Sequence, residues 1–262
     1  MDIASTRNAR VKYVVKLRED RKQRRQDGLM LVEGRDEIGL AISAGRRPQT
    51  IFTAPELASA PLGHIQAELV TVERAVFEKM SYRDNPDGWL AIFPLPRTNL
   101  DDLVPGPSPL IIVAESVEKP GNLGAILRTA DAVGATALLA CDPRTDLYNP
   151  NVVRPSRGCL FTVPAVETTN AQAHAFLSRN GIQLLAATPQ AETLYTLADL
   201  RGPIAIAVGT EDAGLTDFWL SRADLRVRVP MLGRVNSLNV SIATALIAYE
   251  VIRQRGAGGI QP

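Results

Sequence analysis

Three stretches in the second half of the chain concentrate the residues that could do chemistry. The first runs from Glu115 to Ala130. It follows an apolar run and opens what reads as a helix. Gly121 and Gly124 allow a tight turn there, and a helix N-terminus offers free N–H groups to an anion. Leu123, Leu127 and Ala130 form the apolar stripe, and Arg128 lies off it. An exposed ion pair would satisfy that arginine as well as a substrate would. The second stretch is Ile204–Leu215, an apolar strand pattern running into Gly209, Glu211 and Gly214. Ligands of open parallel sheets sit beyond the carboxyl ends of strands. Glu211 could instead serve as a helix cap. The third is Val227–Ala245, where a Pro-Gly loop leads to Ser237 and Asn239 at the mouth of a last helix. Both residue types cap helices. Capping explains one of them, and the second points to a ligand.

Other chemistries are excluded. The first stretch has neither the G-x-G-x-x-G of a dinucleotide fold nor the G-K-[ST] of a phosphate-binding loop. The only cysteines are Cys141 and Cys159, and the only histidines are His64 and His174. Neither a disulfide framework nor a thiolate or histidine metal centre can be built from them, so the expected metal set is none. At 262 residues, 45% hydrophobic and 22% charged, the chain can bury a real core. Its apolar runs are too short to span a bilayer, and no secretory signal is visible, so the expected location is the cytoplasm, with no membrane partner.

These stretches need a scaffold, and short apolar strands alternate with helical patterns along the whole chain. In the first part a basic helix is expected over Asn8–Arg25. Strands follow at Leu29–Val32, Thr50–Thr53, Glu68–Val72 and Trp89–Phe93, with helices at Glu37–Ala44 and Val76–Met80. Between Pro94 and Pro109 stand five prolines. Proline fixes φ and lacks a donor, so a linker is expected there. The chain is accordingly read as two domains, 1–104 and 105–262. In the second, strands are expected at Leu110–Val113, Ala137–Ala140, Gln183–Ala187, Ile204–Val208 and Leu225–Val229. Helices are expected at Leu123–Val133, Ala171–Arg179, Asp217–Arg222 and Val240–Arg253, followed by a disordered tail from Gly256. The pattern is that of an α/β domain with a parallel sheet covered on both faces. The net charge is only +1, yet Arg7, Arg10, Lys12, Lys16, Arg18, Arg21, Lys22, Arg24 and Arg25 cluster near the N-terminus. A solvated helix face and an electrostatic footprint for phosphates both fit that run.

The three stretches together carry N-x-G-x-x-x-R-T-A at Asn122–Ala130, G-x-E-x-x-G at Gly209–Gly214, and V-P-M-x-G-x-x-x-S-L-N-V-S-x-A at Val229–Ala243. In this order and spacing they resemble the three motifs of the SpoU (TrmH) family of RNA ribose 2′-O-methyltransferases. Gly28-Leu-Met-Leu-Val-Glu-Gly34 is similar to a signature of the RNA-binding domain that precedes the catalytic domain in ribosomal-RNA members.

The resemblance implies a C-terminal α/β domain with a deep trefoil knot, preceded by a small α/β RNA-binding domain. It implies S-adenosylmethionine as cofactor, with contacts carried onto Thr188, Gly209, Val229 and Leu238, and a homodimer. It implies methyl transfer to a ribose 2′-OH with Arg128, Asn122, Glu211, Ser237 and Asn239 as the catalytic set. Whether Arg128 takes the proton or only orients the acceptor stays open, since a guanidinium is a poor base. Arg7, Arg10, Lys12, Arg21, Arg24 and Arg25 are the expected RNA contacts. Large-subunit ribosomal RNA is the expected substrate; the alternatives are transfer RNA, base methylation by a knotted relative, or an inactive RNA-binding paralogue.

Overall fold

The computed structural model describes residues 2–63 and 65–256. The tail expected from Gly256 lies, beyond that glycine, outside the described residues. In chain order the first elements are α1 (Ala9–Glu19), α2 (Arg21–Asp27), β1 (Leu29–Glu33), α3 (Arg35–Ser43), β2 (Thr50–Thr53), β3 (Glu68–Thr71), α4 (Arg74–Met80) and β4 (Trp89–Pro94). Then come β5 (Leu110–Glu115), α5 (Pro120–Ala132), β6 (Ala137–Cys141), α6 (Pro150–Val153), β7 (Ala165–Thr168), α7 (Asn170–Arg179), β8 (Gln183–Ala187) and β9 (Thr193–Leu194). The last are β10 (Ile204–Val208), α8 (Asp217–Arg222), β11 (Leu225–Arg228) and α9 (Val240–Gln254).

Contacts divide the chain into two units: Met1–Arg97 with Tyr148–Thr162, and Thr98–Leu147 with Val163–Pro262. The chain thus leaves the first unit at Arg97 rather than near residue 104, and a short later segment packs with that unit. Phe161 meets the ring of Phe93 at 5.7 Å, and the Tyr148 hydroxyl donates to the Pro96 carbonyl at 3.1 Å. Aromatic side chains so placed supply much of the burial that holds such a segment.

The first unit is built on a mixed sheet in the order β1-β4-β2-β3, with β1 and β2 antiparallel to β4 and β3 parallel to β2. The single basic helix expected over Asn8–Arg25 is two helices. Asp20 takes an extended conformation, ends α1, and accepts from the N–H groups of Lys22 and Gln23 at 2.8 and 3.3 Å. A short acid that caps the next helix outweighs the helical propensity of its neighbours. Helix α1 buries Val11, Val14 and Leu17 and leaves its basic face to solvent. Gly34 closes β1 at a φ of +113°. That backbone conformation strains any residue with a side chain, which is why glycine stands there.

The second unit is a seven-stranded sheet, all of it parallel, in the order β7-β6-β5-β10-β8-β11-β9. Ile111, Val113, Leu139, Ala205 and Ala207 bury one face of its central strands against Phe176 of α7 and Trp219 of α8. On the other side α9 packs on α5 and β10. The edge strands β7 and β9 were not expected. Edge strands are short and only half covered, so they carry little apolar signal. β10 enters between β5 and β8 after both have been laid down in the chain. Among the described residues no helix is long and apolar enough to cross a membrane.

Candidate functional site

Helix α5 begins with Pro120 in its first turn, where a missing N–H costs nothing. This places Asn122 at the helix mouth. The Asn122 amide donates to the Glu211 carboxylate, and its own Oδ1 accepts from the Asn239 amide at 3.0 Å. Three loops far apart in sequence therefore meet at one hydrogen-bonded row.

Each member is held from behind. The Glu211 loop is pinched by two backbone hydrogen bonds of 3.0 Å between Thr210 and Gly214. At Gly209 a Cβ would lie 2.0 Å from the Gly214 carbonyl oxygen and 2.1 Å from its carbon. Only glycine lets the two backbones approach so closely. Asn239 is the N-cap of α9: its Oδ1 accepts from the Ser241 N–H at 2.9 Å and the Ser241 hydroxyl at 2.7 Å. One side chain thus caps a helix and reaches the site.

Arg128 lies six residues beyond Asn122, about 9 Å along the helix axis. Its side chain is exposed and has no hydrogen bond or ion pair among the described residues. Ser237 is exposed in the loop before α9 and makes no bond to the Asn122 row. The structure brings Asn122, Glu211 and Asn239 together, and leaves Arg128 and Ser237 open to solvent.

Thr188, Gly209 and Val229 are each the first residue beyond a strand: β8, β10 and β11 respectively. Those strands are neighbours in the sheet, in the order β10-β8-β11. The three positions therefore stand side by side at the carboxyl edge, the place where parallel sheets hold ligands. Leu238 is half-buried, between Ser237 and Asn239. Thiolate chemistry is disfavoured at this edge. Burial, and then the charges of Asp142 and Glu115, push the Cys141 thiol far up.

In the first unit Arg7, Arg10, Lys12, Arg21 and Arg25 are exposed. Arg10 pairs with Glu68 at 2.7 Å, and the Arg25 guanidinium lies 5.2 Å from the centre of the Tyr148 ring. Arg24 differs from the rest. It is 2% exposed and donates to the carbonyls of Leu17 and Arg18 at 2.7 and 3.0 Å. Charge alone grouped it with the phosphate contacts; its geometry assigns it to closing the end of α1. Sequence reasoning also missed Glu115, whose one signal was an acid ending an otherwise apolar strand. Its carboxylate is 1% exposed and is surrounded by donors from α7 and from the start of α8.

The large apolar residues of α9 fall into two sets. Ile247 and Val251 are fully buried in the unit, whereas Ile242, Leu246 and Tyr249 are 51%, 38% and 53% exposed. The exposed three follow helical spacing, and Leu246 and Tyr249 border a shallow pocket of about 330 Å³ with Tyr195 and Arg253.

Comparison with known proteins adds the following. Residues 109–249 match the model of the SpoU rRNA Methylase family, and residues 8–91 match the MRM3-like substrate binding domain. The chain is 39% identical over 160 residues to the 23S rRNA (guanosine-2′-O-)-methyltransferase RlmB of Ralstonia nicotianae. That match covers 60% of this chain and 64% of the relative, so the chain spans less than two thirds of its length. A solved RNA 2′-O ribose methyltransferase is 41% identical with a TM-score of 0.87, covering 97% of this chain and 99% of the other. The methyltransferase AviRb of Streptomyces viridochromogenes, solved with AdoMet, is 27% identical with a TM-score of 0.88, covering 95% and 98%.

Proposed function

The chain belongs to the SpoU rRNA methylase family, and from that premise we propose that it transfers the methyl group of S-adenosylmethionine to a ribose 2′-hydroxyl of large-subunit ribosomal RNA in the cytoplasm. The observation that carries this reading is the hydrogen-bonded row Asn122–Glu211–Asn239, in which the three motif loops converge.

The cofactor fits the residues present. Thr188, Gly209 and Val229 present main-chain groups on three adjoining strand ends, and the half-buried Leu238 would add an apolar contact. When bound there, S-adenosylmethionine supplies an already activated methyl group. The chain's own residues must align the acceptor and draw on its proton, because a ribose hydroxyl is a weak nucleophile. Arg128 is free and solvent-facing. Its planar fork suits simultaneous contact with the 2′-oxygen and the adjoining phosphate. The Asn122–Glu211–Asn239 row fixes the mouth of the helix that carries it, and Ser237 lies in the loop beside Asn239 to meet the acceptor nucleotide.

Three further parts of the reading rest on specific observations. The trefoil knot is supported by the late entry of β10 between β5 and β8. A homodimer is supported by the uncovered apolar stripe Ile242–Leu246–Tyr249. Ribosomal rather than transfer RNA is supported by the substrate-binding domain matched over residues 8–91, whose α1 presents a basic face suited to phosphates. Under this reading the first unit binds RNA and the second transfers the methyl group.

The test is incubation of the full chain with methyl-labelled S-adenosylmethionine and unmodified ribosomal or transfer RNA, followed by mass mapping. The expected product is a 2′-O-methylated nucleotide in large-subunit RNA. Label confined to transfer RNA would overturn the substrate, and label on a base would overturn the ribose chemistry.

A further inference from the structure

Glu115 ends β5, and its carboxylate is almost wholly buried. A buried carboxylate is costly unless its oxygens are satisfied. No lysine or arginine lies within ion-pair distance among the described residues. Three hydrogen bonds satisfy it instead. Oε2 accepts from the Thr216 N–H at 2.8 Å, and Oε1 accepts from the Thr216 hydroxyl at 2.6 Å and the Asn170 amide at 2.7 Å. Asn170 in turn accepts from the indole N–H of the fully buried Trp219 at 2.9 Å. Thr216 is the N-cap residue of α8, yet its side chain does not cap that helix; it is turned toward Glu115.

The placement of this hub has a consequence for the site. The segment that carries Glu211 runs from Gly209 to Thr216. Its first end is fixed by β10 and its last end by Glu115. The segment that carries Asn122 begins at Glu115 itself. One carboxylate therefore anchors the roots of both partners of the Asn122–Glu211 hydrogen bond.

We propose that Glu115 is a positioning residue: through Thr216 it sets the separation of Asn122 and Glu211 and so the rate of methyl transfer, without touching cofactor or RNA. The proposal rests on the functional reading above for its rate effect, but not for its effect on geometry. Asn170 of α7 braces the same carboxylate and is itself held by Trp219 of α8, which makes the hub rigid rather than adaptable.

The decisive variant is Thr216→Val, which keeps the shape and removes the hydroxyl donor. Glu115→Gln is its counterpart, placing a donor where three donors already converge. Misplacing a reacting group by about 1 Å costs on the order of 100-fold. For Thr216→Val the expected result is a kcat lowered by on the order of 10- to 100-fold. The Kd for S-adenosylmethionine alone and the KM for RNA should stay within about twofold, because Thr216 lies outside both proposed contact sets. Thr216→Ser, which keeps the donor, should restore the rate. The side-chain amide signal of Asn122 in nitrogen-edited NMR, assigned through Asn122→Asp, should shift in Thr216→Val and return in Thr216→Ser. If Glu115→Gln fails to fold, the threonine pair still decides. An unmoved Asn122 signal, an unchanged kcat, or a loss confined to cofactor affinity would each overturn the proposal. A wild-type chain inactive on every RNA would overturn the functional reading instead, and the Asn122 signal would still report the geometry.

Discussion

Asn239 performs two tasks with one side chain, and substitutions can separate them. Its Oδ1 caps α9 through Ser241, and its Nδ2 donates to Asn122 at 3.0 Å. Loss of an N-cap costs about 1 kcal/mol, and loss of a side-chain hydrogen bond about 1 kcal/mol. Asn239→Ala should therefore lower stability by about 2 kcal/mol, a fall of roughly 4–8 °C in Tm for a unit of this size. Asn239→Asp keeps the cap, because aspartate accepts from the Ser241 N–H as asparagine does. It cannot donate to Asn122, and it sets acceptor against acceptor. Asn239 is exposed, so water relieves most of that conflict, and the stability loss should stay under about 1 kcal/mol. Methyl transfer should nevertheless fall in both variants by a similar factor of at least about tenfold, because both lose the bond that holds Asn122. Thermal unfolding and label incorporation into RNA, measured on the same preparations, give the two readouts. An Asn239→Asp enzyme with wild-type turnover would show that the Asn122 contact plays no part. An Asn239→Asp enzyme as unstable as Asn239→Ala would show that the cap was misassigned.

Arg128→Ala should leave stability within about 0.5 kcal/mol of wild type, since the side chain is exposed and unpaired among the described residues. It should leave S-adenosylmethionine binding intact and abolish methyl transfer, with Arg128→Lys restoring little; full activity of the alanine variant would refute the role. Leu246→Glu should convert a dimer to monomer in light scattering and lower activity, and a wild-type chain that is monomeric and active at low concentration would refute the dimer. Charge reversal at Lys12 and Arg21 should weaken RNA binding and flatten its salt dependence while sparing cofactor binding. Arg24→Glu should instead destabilise the first unit, because its guanidinium is buried against the α1 carbonyls, and a stable variant weakened only in RNA binding would reverse that assignment.

The parallel α/β character of the second unit and most of its elements are legible in the amino-acid sequence. Strands such as Gln183–Ala187 and Ile204–Val208 are short, apolar and bounded by glycine or proline, so their burial is written locally. The sequence also marked Glu211 and Asn239, which stand in a glycine loop after a strand and at the mouth of the last helix, while Asn122 was legible only through the family resemblance. What it could not determine is which of those polar residues touch. Asn122 and Asn239 are 117 positions apart, and their contact exists only because α9 packs on α5. The same holds for burial of charge: Arg24 and Arg25 are adjacent in α2, and which face of that helix packs inward decides that one is buried and the other exposed. Glu115 shows the limit most plainly. An acid at the end of an apolar strand reads as a solvent-facing terminus until Thr216 and Asn170, each brought in by a different helix, surround it with donors. Local pattern specifies elements because periodicity and capping are properties of neighbours along the chain. Which polar groups satisfy one another is decided in space, where the tertiary fold sets the partners.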